Sequence, residues 1–242
     1  MTTIGMTQDR GPPMAQPVRS GSTARQALLV CGILSSLLYI ATDVLGGMRY
    51  EGYSFTSQAI SELMASGAAS ETFVDPLFIA YGVLVLVFGV GVFREAAGRS
   101  PTLRIAGALL IGYAAIGFAG PTFFEMSQRG ASSLAGDAPH MVLTGVLVLL
   151  LLLAIAFGAF ALGKRFRVYS FATLLIVVMF GALTAPYAAL IAVGQPTPGF
   201  GIVERTTVYS SLLWVAVLAI ALLRRHSSAA QGSLPSAGRL AV

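Results

Sequence analysis

Six stretches of predominantly apolar residues, each about one membrane crossing long, constrain this chain more than any motif. They run approximately Ala27–Gly47, Val74–Phe93, Leu103–Phe124, Met141–Leu162, Val168–Val193 and Thr206–Leu223. About 20 helical residues cross the ~30 Å hydrocarbon core of a bilayer. Backbone polar groups must be satisfied internally there, so segments of this length cross as helices. The expected fold is all-α integral membrane: six transmembrane helices, N-in/C-in. Composition agrees, since only 10% of the 242 residues are charged, 56% are hydrophobic and the mean hydropathy is +0.80. A soluble domain carries about 25% charged residues.

Residues 1–25 form a polar leader rich in Pro and Gly, expected to be disordered and cytoplasmic, as is the tail 226–242; the helical domain lies between, at 26–225. The first apolar run exceeds the 7 to 15 residues of a signal-peptide core, so it is read as an uncleaved span. Pro186 inside the fifth run and Pro121 near the end of the third remove backbone donors and predict kinks.

The formal net charge is +5, but the basic residues come in ones, twos and threes between apolar runs, not on one wet surface as nucleic-acid binding requires. Twelve of the fifteen fall on one side of the alternating loops: Arg10, Arg19, Arg25, Arg94, Arg99, Arg104, Lys164, Arg165, Arg167, Arg224, Arg225 and Arg239. Arg49, Arg129 and Arg205 fall on the other. By the positive-inside rule both termini are cytoplasmic, in a multi-pass protein of the cell membrane. Eight of ten acidic residues lie on the opposite side, all except Asp9 and Glu95. Polar function is therefore expected at the outer face.

Four segments bring polarity there. Asp43 sits about a turn before the end of the first span and shares a face with Ser36; it either faces the bundle interior and a partner or reaches the headgroups. Ser54 to Met64 has an amphipathic pattern, Phe55, Ala59, Ile60, Leu63 and Met64 against Gln58, Ser61 and Glu62, and predicts a short helix over the outer mouth with Ser54 as N-cap. The third hairpin carries Glu125, Gln128, Arg129, Asp137 and His140, with Asp137 as N-cap and His140 at the third helical position. Glu204 and Arg205 precede the last span, and Arg205 is expected to pair with Asp43 or Glu62.

Cys31 stands alone, so no intramolecular disulfide or CxxC site forms. HExxH, GxSxG, the P-loop and a full GxGxxG are missing, and His226 falls on the cytoplasmic side, so no three-His zinc site is expected; neither is any cofactor.

The strings Ser57-Gln58-Ala59-Ile60-Ser61-Glu62-Leu63 after Tyr53-Ser54, Met126-Ser127-Gln128-Arg129-Gly130, His140 with Gly145, and Glu204-Arg205 followed by Trp214 resemble the six-span membrane family known as domain of unknown function 998. The likeness covers roughly Ala27 to Leu223. Where that family tends to read Phe-Pro-Met before Gln-Arg-Gly, this chain has Pro121-Thr122-Phe123-Phe124-Glu125-Met126, so Glu125 is not carried over. The resemblance implies the same six-span fold and no established activity.

The functional expectation is an outward-facing polar pocket that binds or processes a lipid or small amphiphile. Asp43, Ser57, Ser61, Glu62, Arg129, His140, Glu204 and Arg205 are its expected lining. In a catalytic version His140 is the general base, assisted by Glu62 or Asp43, with Arg129 or Arg205 holding an anionic headgroup. The alternatives are a non-catalytic scaffold or lipid-binding protein, in which these residues only fix helix packing, and a proton-coupled transporter. Expected partners are membrane lipids and no nucleic acid.

Overall fold

A computed structural model describes residues 20–98, 100–118, 123–131 and 136–232, with side chains from 23 to 225 within those ranges. Most of the expected leader and tail, and the kink expected at Pro121, lie outside the described residues. Helices α1 (Ser20–Arg49), α2 (Glu71–Glu95), α3 (Pro101–Gly117), α4 (Ala138–Gly158), α5 (Lys164–Thr184), α6 (Tyr187–Ala192) and α7 (Phe200–Gly232) make the bundle, and there is no strand among the described residues.

Five helices, α1, α2, α4, α5 and α7, are long and apolar enough to cross a membrane. Helix α3 is also apolar but has only 17 residues, a rise of about 26 Å. It starts cleanly, with Pro101 in its first turn and the Ser100 hydroxyl accepting from the Leu103 N–H at 3.3 Å. The fifth apolar run is broken where expected: α5 ends at Thr184 and α6 restarts after Pro186. Proline lacks the N–H that would have bonded back into α5.

Each long helix packs on its sequence neighbours, α1 on α2, α2 on α3, α3 on α4, α4 on α5 and α5 on α7, and α7 closes the ring against α1. At one end Arg25 meets Glu95 at 3.5 Å, and Arg225 reaches the Ala161 carbonyl at 3.3 Å. This is the basic end. The core on that side gathers around the fully buried Trp214, with Leu29, Phe88, Leu110, Ile155 and Leu218. The Trp214 indole N–H donates to the Ser170 hydroxyl at 2.9 Å, as a buried indole requires. Leu37, Val142, Leu149, Val168 and Leu175 point outward and exposed, the surface a lipid-facing bundle presents.

The opposite end carries a cap. Its centre is the segment from Tyr53 to Met64, which differs from the predicted amphipathic α-helix: it is a chain of turns ending in a single 3-10 turn, Ser61–Met64, whose N-cap is Ile60 and not Ser54. The cause is competition for carbonyls. Those of Phe55 and Gln58 accept from Arg205, that of Ala59 from the Tyr53 hydroxyl, that of Thr56 from the Gly201 N–H and that of Ser57 from the Thr197 hydroxyl. A helical ladder would have used the same groups internally. The buried residues Ala59, Ile60 and Leu63 still supply the apolar side that the pattern announced.

Candidate functional site

Two ion pairs hold the cap to the bundle. Arg205, in the second turn of α7, grips the fully buried Asp43 of α1 with two parallel bonds, Nε to Oδ2 at 2.9 Å and Nη2 to Oδ1 at 2.8 Å. Its remaining N–H groups go to the Tyr53 hydroxyl at 2.6 Å and to the carbonyls of Phe55 and Gln58 at 2.8 and 3.0 Å. A guanidinium has five donors, and here all are engaged. Asp43 also accepts from the Tyr209 hydroxyl at 2.6 Å. Charges this deep survive only when paired and fully hydrogen-bonded.

Tyr53 passes the bond on, accepting from Arg205 and donating to Ala59 at 2.7 Å. Burial pushes its phenol well above the ordinary tyrosine range, and the opposing pull of the Arg205 charge is smaller. It therefore stays a neutral donor. Gly201 is where this knot comes closest to α7: a Cβ there would strike the Phe55 carbonyl and lie 2.7 Å from that of Gln58.

The second pair joins the third hairpin to the cap. Arg129 meets the buried Glu62 through Nε to Oε2 at 2.9 Å and Nη2 to Oε1 at 2.6 Å, and its Nη1 reaches the Gln195 carbonyl at 3.0 Å. Glu62 also accepts from the Ala59 N–H at 2.8 Å and the Gln58 amide at 3.2 Å. Next to Arg129, Gly130 packs against Gly194 so closely that a Cβ on either would lie 3.2 Å from the other's Cα. Both have positive φ, 77° and 72°, a conformation that favours glycine.

Beneath the cap lies a cavity of about 260 Å³ between α1, α2, α3, α4 and α7. Its walls are mostly apolar, with Phe78, Val85, Leu110, Leu147 and Val215 among them, and at the cap end Ser61, His140 and Glu204 face it. Asp137 occupies the N-cap of α4, but its carboxylate accepts from the Ser127 N–H at 3.0 Å and makes no cap bond. His140, at the third helical position as expected, has Nδ1 2.9 Å from the Phe124 carbonyl. A carbonyl only accepts, so Nδ1 carries the proton and Nε2 of the neutral ring keeps its lone pair. The Glu204 carboxylate accepts from the Ile60 N–H at 2.6 Å and touches no guanidinium.

The eight residues expected to line one pocket thus divide. Ser61, His140 and Glu204 line the cavity. Asp43, Glu62, Arg129 and Arg205 do not, because each carboxylate is taken by a guanidinium and each guanidinium by a carboxylate. Ser57 also stays outside it, its carbonyl bonded to Thr197. Arg205 pairs with Asp43 and not with Glu62, and both guanidiniums are bonded to cap-end carboxylates outside the cavity lining. Sequence reasoning passed over Tyr39, Tyr81 and Tyr113. These line the cavity from three different helices, with Tyr39 packed edge-on to Tyr81 at 4.9 Å between ring centroids and a 3.1 Å hydroxyl contact between Tyr81 and Tyr113. Their signal was a tyrosine within each of three apolar runs, legible only once the ring order of the helices is known.

Fold and site together define a multi-pass, all-helical membrane protein with a cross-braced polar cap over a largely apolar cavity. The chain matches the family described as "Protein of unknown function (DUF998)" over residues 33–221, and it belongs to that family. The matched stretch contains both ion pairs and the cavity's polar end. No curated protein and no solved structure matches it.

Proposed function

We propose that this protein sits in the cell membrane with both termini cytoplasmic and that the cavity beneath its outward-facing cap binds a lipid or small amphiphile. The carrying observation is the cavity's division into an apolar body and one polar end formed by Ser61, His140 and Glu204, the amphipathic pattern of a ligand that has both parts. The cap and the 12-to-3 division of basic residues support the orientation. At about 260 Å³ the space is just below the ~300 Å³ at which drug-sized pockets begin, and suits a single short chain with a compact head. The free Nε2 lone pair of His140 and the Glu204 carboxylate give this end acid/base capacity, so the site supports processing as well as holding.

The cap favours a structural reading for its own residues. Asp43, Arg205, Glu62 and Arg129 brace packing in this account, and ligand contact is left to the other three. Native mass spectrometry of the protein released from nanodiscs tests the proposal. A retained amphiphile on the wild type, with occupancy reduced in His140→Ala, is the expected result; a wild type that is empty and takes up no added amphiphile refutes it.

A further inference from the structure

Three polar groups at the cap end of the cavity, Ser61, His140 and Glu204, each keep an acceptor. Ser61 spends its hydroxyl proton on the Met126 sulfur at 3.3 Å, leaving oxygen lone pairs. His140 Nδ1 faces the Phe124 carbonyl at 2.9 Å, so in the neutral ring Nε2 is the acceptor. Glu204 accepts a single N–H, from Ile60, and makes no direct contact with a guanidinium among the described residues. Among the described residues no Lys or Arg lines the cavity, and the guanidiniums of Arg129 and Arg205 are committed to the cap. Around these acceptors stand aromatic rings, Tyr39 packed edge-on to Phe78 at 5.1 Å and to Tyr81 at 4.9 Å.

Resting on the amphiphile reading above, we propose that this site selects a protonated primary amine as headgroup: an alkylammonium, and not an anionic lipid. An –NH₃⁺ group has three donors and no acceptor, the complement of the three acceptors offered by Ser61, His140 and Glu204. Aromatic walls add attraction for a cation. An anionic head would instead meet Glu204 in a low-dielectric space where the neighbouring Arg205 is already paired with Asp43.

The experiment compares octylammonium, octanol and octyl sulfate by calorimetric titration into protein-loaded nanodiscs, with uptake by empty nanodiscs subtracted. Octylammonium is expected to bind about tenfold more tightly than octanol, and octyl sulfate more weakly than both. Glu204→Gln keeps an oxygen for the Ile60 N–H, so the fold is retained; it should bring octylammonium to within about twofold of octanol. Equal binding of octylammonium and octanol to the wild type overturns the charge preference while leaving the amphiphile reading standing. Preference for the sulfate, or an ammonium preference that survives Glu204→Gln, also overturns it. Saturable binding by none of the three defeats both readings.

Discussion

The cap and the cavity mouth are both polar, lie one above the other and draw on adjacent residues, yet they differ in saturation. Arg205 has all its donors engaged, while Glu204, its neighbour in sequence, holds one backbone N–H. Adjacent helical residues point about 100° apart, so one turns into the knot and the other over the cavity. Polarity inside an apolar bundle therefore does not by itself mark a site. Leftover bonding capacity beside open space does.

That contrast breaks most visibly at the first ion pair. Arg205→Ala strands a fully buried carboxylate and should destabilise the protein by about 3–5 kcal/mol, read as a loss of unfolding free energy in mild detergent. Asp43→Ala combined with Arg205→Ala should cost less than the two single changes summed, because neither charge is left alone. Gly201→Ala forces a Cβ into the carbonyls of Phe55 and Gln58 and should cost about 1–3 kcal/mol, measured in the same way. The second pair is more open, with Arg129 20% exposed at its side chain, so Arg129→Ala should cost less than Arg205→Ala and its effect should shrink with added salt.

Tyr53 sharpens the comparison through pH. Its folded-state phenol is raised above the ordinary value of 10.0, so the native state holds its proton more tightly than the unfolded chain does. The resulting stabilisation is complete below about pH 10 and is lost as pH rises beyond it. Wild type should therefore lose more stability than Tyr53→Phe between pH 9 and about pH 11; parallel curves would show that this hydroxyl is not held as described. At the other extreme, His140→Ala and Glu204→Gln should change stability least, by about 1 kcal/mol or less, while altering what the cavity holds.

Spans were legible from the sequence because membrane crossing is a one-dimensional constraint: length and apolarity suffice for α1, α2, α4, α5 and α7, and Pro186 announces its own break. The Asp43–Arg205 pair was also within reach, since opposite charges at the ends of two spans have few other partners. The Tyr53–Met64 segment was not. Its residues repeat at helical spacing, but the shape is decided by Arg205, Thr197 and Gly201, some 140 positions away, which take its carbonyls. The cavity was hidden for a related reason: which faces of α2, α3, α4 and α7 enclose Tyr81, Tyr113, His140 and Glu204 follows from helix rotation in a closed ring, and local periodicity does not encode that.

The central claim, that the cavity and not the cap receives an amphiphile, is tested most directly by photo-crosslinking. An octylamine bearing a diazirine on its chain is bound to the protein in nanodiscs, irradiated, and the labelled residues are mapped by peptide mass spectrometry. Labels are predicted on cavity residues such as Leu110, Leu147 and Val208, with protection by excess unlabelled amine. Labelling confined to outward residues such as Leu37, Leu149 and Leu175, unaffected by competitor, would contradict it.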